Sequence, residues 1–389
     1  MFRARWLSFP ALPLTSTLTL ALSLPSGGFA QSGWQKHLIH SGEHTNTAVA
    51  GDYTGDSLPD VISNSAGKTR LFVAPKWQEF VLDNTKGHDF IHSETFDVDG
   101  DGDLDFIGVR YSPGLVVWLE QPAEPTGGAW QARVVDDELD GIHGLLRGDV
   151  DGDGKPELVA NSGQPTGKFP NSAAWLKVPN HPREASRWER HIFSDRDAPG
   201  LSHYLGIGDI NGDGRPDITM GSKGGPQAEP GSGEWFAWWQ APRDPKSVWK
   251  KHLVADKQEG ATNIMPADVN GDGKTDLIAT RGHGRGVIWF EAPDWKLHEI
   301  HPTLKEPHCL QVLDLDGDGD TDAATCGYGD KQAWWFENDG KGNFKNHLVA
   351  EDQAAYDLRA FDMDRDGDPD LLIAGQLSRN VAWYENPRK

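Results

Sequence analysis

Seven acidic loops of the form Asp-x-Asp/Asn-Gly-Asp-Gly-x-x-Asp/Glu recur along this chain, their first aspartates 45 to 60 residues apart. A period of that length marks a repeat architecture in which every unit supplies one supersecondary element. Three copies are complete: Asp97, Asp99, Asp101 and Asp105; Asp149, Asp151, Asp153 and Glu157; Asp314, Asp316, Asp318 and Asp322. Two carry an amide at the second position: Asp209, Asn211, Asp213 and Asp217, then Asp268, Asn270, Asp272 and Asp276. The outer two are degenerate. Thr54 interrupts Asp52, Asp56 and Asp60, and the loop of Asp362, Asp364, Asp366 and Asp370 has Arg365 where the others have glycine.

Acidic side chains at alternate positions of a tight turn aim several oxygens at one hard cation, and a ninth-position carboxylate closes the shell much as in the first half of an EF-hand. Zinc or copper loops would show Cys or His at these spacings, and magnesium takes fewer protein ligands in a stiffer geometry. Without an ion, carboxylates this close repel one another. Calcium is therefore the expected cofactor, with a structural role and one site per repeat.

Each repeat has further parts. A Trp-led strand recurs at Trp34, Trp77, Trp130, Trp188, Trp249 and Trp295, with Phe344 in its place once, and a second aromatic strand lies near Trp118, Trp175, Trp239, Trp289, Trp335 and Trp383. Short strands with turn punctuation and almost no helical periodicity predict an all-β chain. Four strands per unit, repeated radially, predict a seven-bladed β-propeller. The expected order within a blade is inner strand, acidic loop, second strand, aromatic third strand, Trp-led outer strand. The chain then begins with an outer strand and ends on a third one, so residues 34–40 should complete the blade built by residues 355–386 and leave no open edge at the seam. Residues 31–389 are read as a single domain.

The loops and their spacing resemble the FG-GAP/VCBS repeats of integrin α-subunit propellers. The Trp-x-x-His and Trp-Trp/Tyr-x-x-Pro elements resemble the propeller domain of aldos-2-ulose dehydratase. The resemblance spans residues 34–386 and implies a calcium-loop propeller; from the first family it implies a partner-binding face, from the second a sugar-eliminating one.

Residues 1–30 read as a secretory signal: Arg3 and Arg5, an apolar stretch from Ala11 to Leu24, then Gly28 and Ala30 flanking Phe29. Export to the periplasm or the medium is expected, where calcium is plentiful. No later stretch approaches the roughly 20 apolar residues of a membrane helix, so no membrane insertion is expected. The formal charge of −22 disfavours nucleic acid and anionic membranes. Much of that charge sits in the loops, where bound ions would cancel it, so it says little about smaller ligands. Cys309 and Cys326 flank one acidic loop and are either a local disulfide or two buried thiols.

If the acidic loops join first to second strands, they share one face of the ring, and the starts of the inner strands form the other, roughly 16 to 20 Å away at about 3.3 Å per residue. The residues at those starts are Asn46, His92, His143, His203, Asn263, His308, and Tyr356 with Asp357. Four imidazoles around one axis form a second divalent-metal site or an acid/base cluster. Five other histidines, His37, His191, His252, His298 and His347, recur in the outer strands and are read as structural. The loops joining second to third strands reach the same face and carry Lys68, Arg70, Arg110, Lys168, Lys223, Arg281, Arg285, Lys331 and Arg379, with Tyr111, Tyr204, His283 and Tyr328 nearby.

A cationic, His-lined funnel fits an anionic or oxidised carbohydrate, and elimination is the chemistry it would run: a base removes a proton α to a carbonyl or carboxylate while a metal or Arg holds the charge. His92, His143, His203 and His308 are the base or ligand candidates, Arg281 and Arg285 the charge stabilisers, Tyr204 or Tyr356 the proton donor. The expected class is thus a carbon–oxygen lyase, either a polysaccharide lyase or a sugar dehydratase. The alternative is a non-catalytic glycan- or protein-binding adhesion module. Extended top loops serve a ligand or another subunit equally, so the sequence leaves the oligomeric state open.

Overall fold

The computed structural model describes residues 33–387, and the leader expected over residues 1–30 lies outside them. Among the described residues, 28 strands form seven antiparallel sheets of four, the blades of a closed propeller. The inner strands are Thr45–Gly51, His92–Phe96, Leu145–Gly148, Ser202–Gly208, Ile264–Ala267, Gln311–Leu313 and Asp357–Phe361, and each opens into its acidic loop as expected. The first strand, Gln35–Ser41, pairs with the last, Asn380–Glu385, from Gln35 opposite Glu385 to Ser41 opposite Asn380. The seventh blade therefore takes its outer strand from the start of the chain. Among the described residues no helix is long and apolar enough to cross a membrane.

The core lies between blades. Alternate side chains of a second strand leave opposite faces of the sheet, so each strand serves two interfaces. Leu158 packs with Ile107 and Trp118 of the preceding blade, and its neighbour Val159 packs with Met220 and Trp239 of the next. Strands such as Asp217–Ser222 and Asp322–Gly327 are buried along their whole length, which explains their Ala, Gly, Ser and Thr content.

The outer-strand histidines are structural, as expected. His37, His298 and His347 stack on Trp383, Trp289 and Trp335 with ring centroids 4.0, 4.3 and 4.4 Å apart, and their Nε2 atoms meet Glu385, Glu291 and Glu337. In the fourth blade His252 stacks on Trp238 rather than on Trp239. Trp239 points to the other side, into the interface with the third blade. Cys309 and Cys326 are both free and buried.

The ninth loop position does more than the sequence reading gave it. Asp217 accepts hydrogen bonds from the backbone N–H of Ile210 inside the loop, at 3.1 Å, and of Ala241 just past the third strand, at 2.8 Å. Asp60, Asp105, Asp276, Asp322 and Asp370 repeat both kinds of bond. This carboxylate clamps the loop to the sheet, and burial pushes Asp217 up to about 6 and Asp105 and Asp370 to about 7. Asp217→Ala strands two amide donors in the core and is expected to lower unfolding free energy by about 2–4 kcal/mol in urea titrations. The loss should persist in chelator. A loss that vanished on stripping divalent ions would assign the residue to metal binding alone.

Arg365 adopts φ 67°, the left-handed conformation that Gly100 takes at φ 78° in the same place. The last loop thus keeps the turn despite its substitution.

Candidate metal and active centre

Counting back five or six residues from a loop aspartate lands at the far end of a short inner strand, and the ring brings those ends to one axis. His92, His143, His203 and His308 meet there, away from the acidic loops, together with Tyr204 and Tyr356. A ring nitrogen from each of His143, His203 and His308 lies within 4.8 Å of the other two. His143 and His203 stack at 4.1 Å between centroids, and His92 Nε2 lies 3.2 Å from His143 Nδ1.

The fifth blade has Asn263 at the inner-strand position, and its amide instead donates to the His308 carbonyl at 2.7 Å. The imidazole missing there comes from His283, on the hairpin after Asp276–Thr280. His283 Nε2 lies 2.9 Å from His203 Nε2 and 3.2 Å from His308 Nε2. Inner-strand counting had no means of finding this residue. Its sequence signal is the Gly-His-Gly tip at positions 282–284, which lets the hairpin fold back over the axis.

Hydrogen bonds assign the tautomers of two rings. His203 Nδ1 is 2.9 Å from the Leu201 carbonyl, an acceptor only, so Nδ1 carries the proton and Nε2 a lone pair. Tyr204 donates its one hydroxyl proton to the Tyr356 carbonyl at 2.5 Å, so His308 Nδ1, 3.1 Å away, donates to Tyr204 and also keeps an Nε2 lone pair. Two lone pairs converge on His283 Nε2, and one proton on His283 satisfies only one of them. Tetrahedral nitrogen ligands about 2.0–2.1 Å from zinc are about 3.3 Å apart, close to these separations. The donor set fits a divalent transition metal.

Burial, then mutual repulsion, holds these rings neutral. His143 is drawn down to about 4, and His92, His203 and His308 lie well below the ordinary imidazole range, all first through desolvation. Neutral imidazole is the metal-binding form. His283, on an exposed hairpin, is lowered through the same desolvation where its ring enters the cluster.

The two candidate proton donors divide. Tyr204 has its proton committed and orients His308. Tyr356 stacks on His308 at 3.8 Å and hydrogen-bonds to Tyr328, which donates to Gln376 at 2.9 Å.

Four of the nine top-face cations are held locally instead of joining one basic funnel. Arg70 is buried between Glu43 and Glu79, Lys168 pairs with Glu138, and Arg110 bonds to the Gly87 and Pro113 carbonyls. Arg281 is held by Gln258 at 2.8 Å and faces Glu299 at 3.6 Å. Arg281 and Arg285 sit beside the imidazoles, in a pocket of about 500 Å³ that they share with His283. Lys223 does border the imidazoles: its charge helps lower His143, His283 and His308.

At the opposite end, the acid groups Asp97, Asp99 and Asp101; Asp149, Asp151 and Glu157; Asp314, Asp316 and Asp322; and Asp362, Asp364 and Asp370 each gather oxygens within 4.8 Å. Asp362 Oδ1 is buried without a hydrogen-bond partner. In the third blade Lys177 Nζ lies 2.6–2.7 Å from Asp151, Asp153 and Glu157, so that loop supplies its own cation. In the first blade Thr54 donates its hydroxyl to Asp60 at 3.0 Å, so that loop closes on itself.

Among curated proteins, none matches this chain by sequence. Solved structures do match in fold. Virginiamycin B lyase from Staphylococcus aureus superposes with a TM-score of 0.59 at 9% identity, over 90% of this chain and 98% of that one. BBS1N, in its complex with ARL6DN, gives 0.61 at 10% identity over 92% and 99%. YCF48 bound to D1 peptide gives 0.53 at 12% over 92% and 97%. The model of the FG-GAP-like repeat matches residues 97–160, 209–279 and 314–373, half of the chain. With seven blades, each opening into an acidic loop, this protein belongs to the FG-GAP-like repeat family.

Proposed function

We propose that this protein is an exported, calcium-stabilised lyase that breaks a carbon–oxygen bond of a sugar acid or keto-sugar by β-elimination at the axial histidines. The observation that carries this reading is the pair of lone pairs on His203 and His308 Nε2, fixed by their hydrogen bonds and converging on His283 Nε2. His203, His283 and His308 would hold a divalent transition metal. When bound, such an ion supplies Lewis acidity toward the carbonyl or carboxylate oxygen on which charge collects.

His143 is the base. It is neutral, half-buried and the most accessible of the four inner-strand imidazoles, and His92 steadies it from behind. It takes the proton on the carbon α to the carbonyl or carboxylate. That bonding pair becomes the carbon–carbon double bond, the bond from the β carbon to oxygen breaks, and the departing oxygen is protonated by the His143 imidazolium. Tyr204 and the Leu201 carbonyl keep the rings of His308 and His203 in their tautomers throughout.

A lyase among the propellers of similar fold supports the chemistry. For the acidic loops, the gathered oxygens, the unpartnered Asp362 Oδ1 and the calcium-rich destination implied by the leader support calcium. Two other propellers of similar fold are seen with a protein or peptide partner, which favours a binding module as the second reading.

A panel of uronate polysaccharides and keto-sugars, followed by the ultraviolet absorbance of a new double bond, separates the two. Activity should fall by about 10²–10⁴-fold in His143→Ala. A panel that stays silent while the protein retains glycans or peptides on an array would make it a binding module.

A further inference from the structure

The pocket beside His283 runs outward over the fifth blade, bounded by the connector at Lys257 and Glu259, the hairpin at Arg281–Arg285, and Lys305, Glu306 and Gly329. It opens where the metal-binding imidazoles meet solvent, since His283 belongs to both. Its charges are unusual for a chain of formal charge −22. Among the described residues, the Lys257 and Arg285 side chains have no ion-pair or hydrogen-bond partner. Arg285 stands opposite Lys305 in the strand ladder, and Lys305 is paired with Asp330 at 3.0 Å, which leaves Arg285 as the unpaired cation of the two.

A third cation lies on the inner side of His283. Lys223 follows Ser222, which pairs with Ser202 next to His203, and its backbone N–H is tied to the Leu201 carbonyl. The ammonium is half-buried, and no carboxylate offsets its desolvation. Uncompensated charge in a partly buried site is unfavourable until a counter-charge arrives. The pocket also presents two carboxylates, Glu259 and Glu306, which have no cation partner. Free cations beside free acceptors match a ligand that is anionic and hydroxylated at once, the chemistry of a sugar acid and not of an inorganic oxyanion.

We propose that the substrate is an oligomeric sugar acid laid across His283, with the carboxylate of the reacting residue beside Lys223 and that of the next residue against Arg285 and Lys257. The two carboxylates accept from its hydroxyls. The assignment rests on the elimination reading above and narrows its substrate to the acidic class.

The test compares trimers of galacturonate, mannuronate and glucuronate with their methyl esters, which keep size and hydroxyls but remove charge, by calorimetry on the calcium-saturated, zinc-loaded protein. At least one acid trimer should bind, its ester at least about 10-fold more weakly, the affinity falling as salt rises. Lys223→Met should weaken monomer and trimer alike, whereas Arg285→Ala with Lys257→Ala should weaken the trimer and spare the monomer. Equal binding of acid and ester, no binding of any acid trimer, or unchanged affinity in both variants would overturn the proposal. Acid binding without a new double bond leaves the subsite standing and removes elimination. Equal turnover of acid and ester does the reverse.

Discussion

His283→Ala is expected to weaken zinc binding to the calcium-saturated protein by at least about 100-fold and to abolish elimination, with little change in melting temperature. Outer-shell partners of metal-bound histidine already matter by about 10–100-fold, so loss of a ligand should exceed that range. The residue suits the test because it sits on an exposed hairpin, and its ring reaches inward only to meet His203 and His308. Tyr204→Phe tests the tautomer argument separately. Without the hydroxyl, nothing fixes the His308 Nδ1 proton, the ring is free to place its proton on Nε2, and zinc affinity should fall about 10–100-fold although no ligand is lost. Competition with a chromophoric chelator reads both variants. A His283→Ala protein that binds zinc as the native protein does would remove the metal centre.

Stripping divalent ions should lower the melting temperature by at least about 10 °C, and added calcium should restore it. An ion that binds only the native state at about 1,000 times its dissociation constant contributes about 4 kcal/mol per site. Four acid groups bring their oxygens within 4.8 Å, and in the loops of Asp314 and Asp362 these carboxylates face one another with no lysine or arginine ion-paired to them among the described residues. The second and third loops should contribute less, because Arg183 already lies on Asp99 and Asp101 and Lys177 among Asp151, Asp153 and Glu157. Scanning calorimetry with and without chelator checks the effect. An unchanged melt would leave the loops as turns held by hydrogen bonds alone.

Much of the fold was legible because a propeller repeats the same local rule. The acidic loop announces where the inner strand ends, the Trp and His of the third and outer strands announce their pairing, and the leftover first strand requires the seam that Gln35–Ser41 makes with Asn380–Glu385. What spacing left hidden lies where one residue does two jobs or where neighbours compete. The ninth-position carboxylates read as ligands only, since nothing in a sequence says that Asp217 also receives the amides of Ile210 and Ala241. Trp238 and Trp239 are indistinguishable by composition, and only the strand's alternation decides which one stacks on His252.

The axial site was half legible. Counting residues placed His92, His143, His203 and His308 at the ends of inner strands, because strand rise is fixed and the loops mark the other end. His283 escaped the count because a hairpin, not a strand, delivers it, and the contacts of Arg281 with Gln258 and Glu299 cross from one element to another where no spacing announces them.

The sequence by itself determined the number of blades, the order of strands, the place of closure and the separation of acidic loops from imidazoles, because each follows from spacing along the chain. Only the tertiary structure decided which imidazoles meet, which nitrogens keep their lone pairs and which cations stay unpaired. Those depend on contacts across blades, between residues far apart in the chain, and no local pattern encodes them.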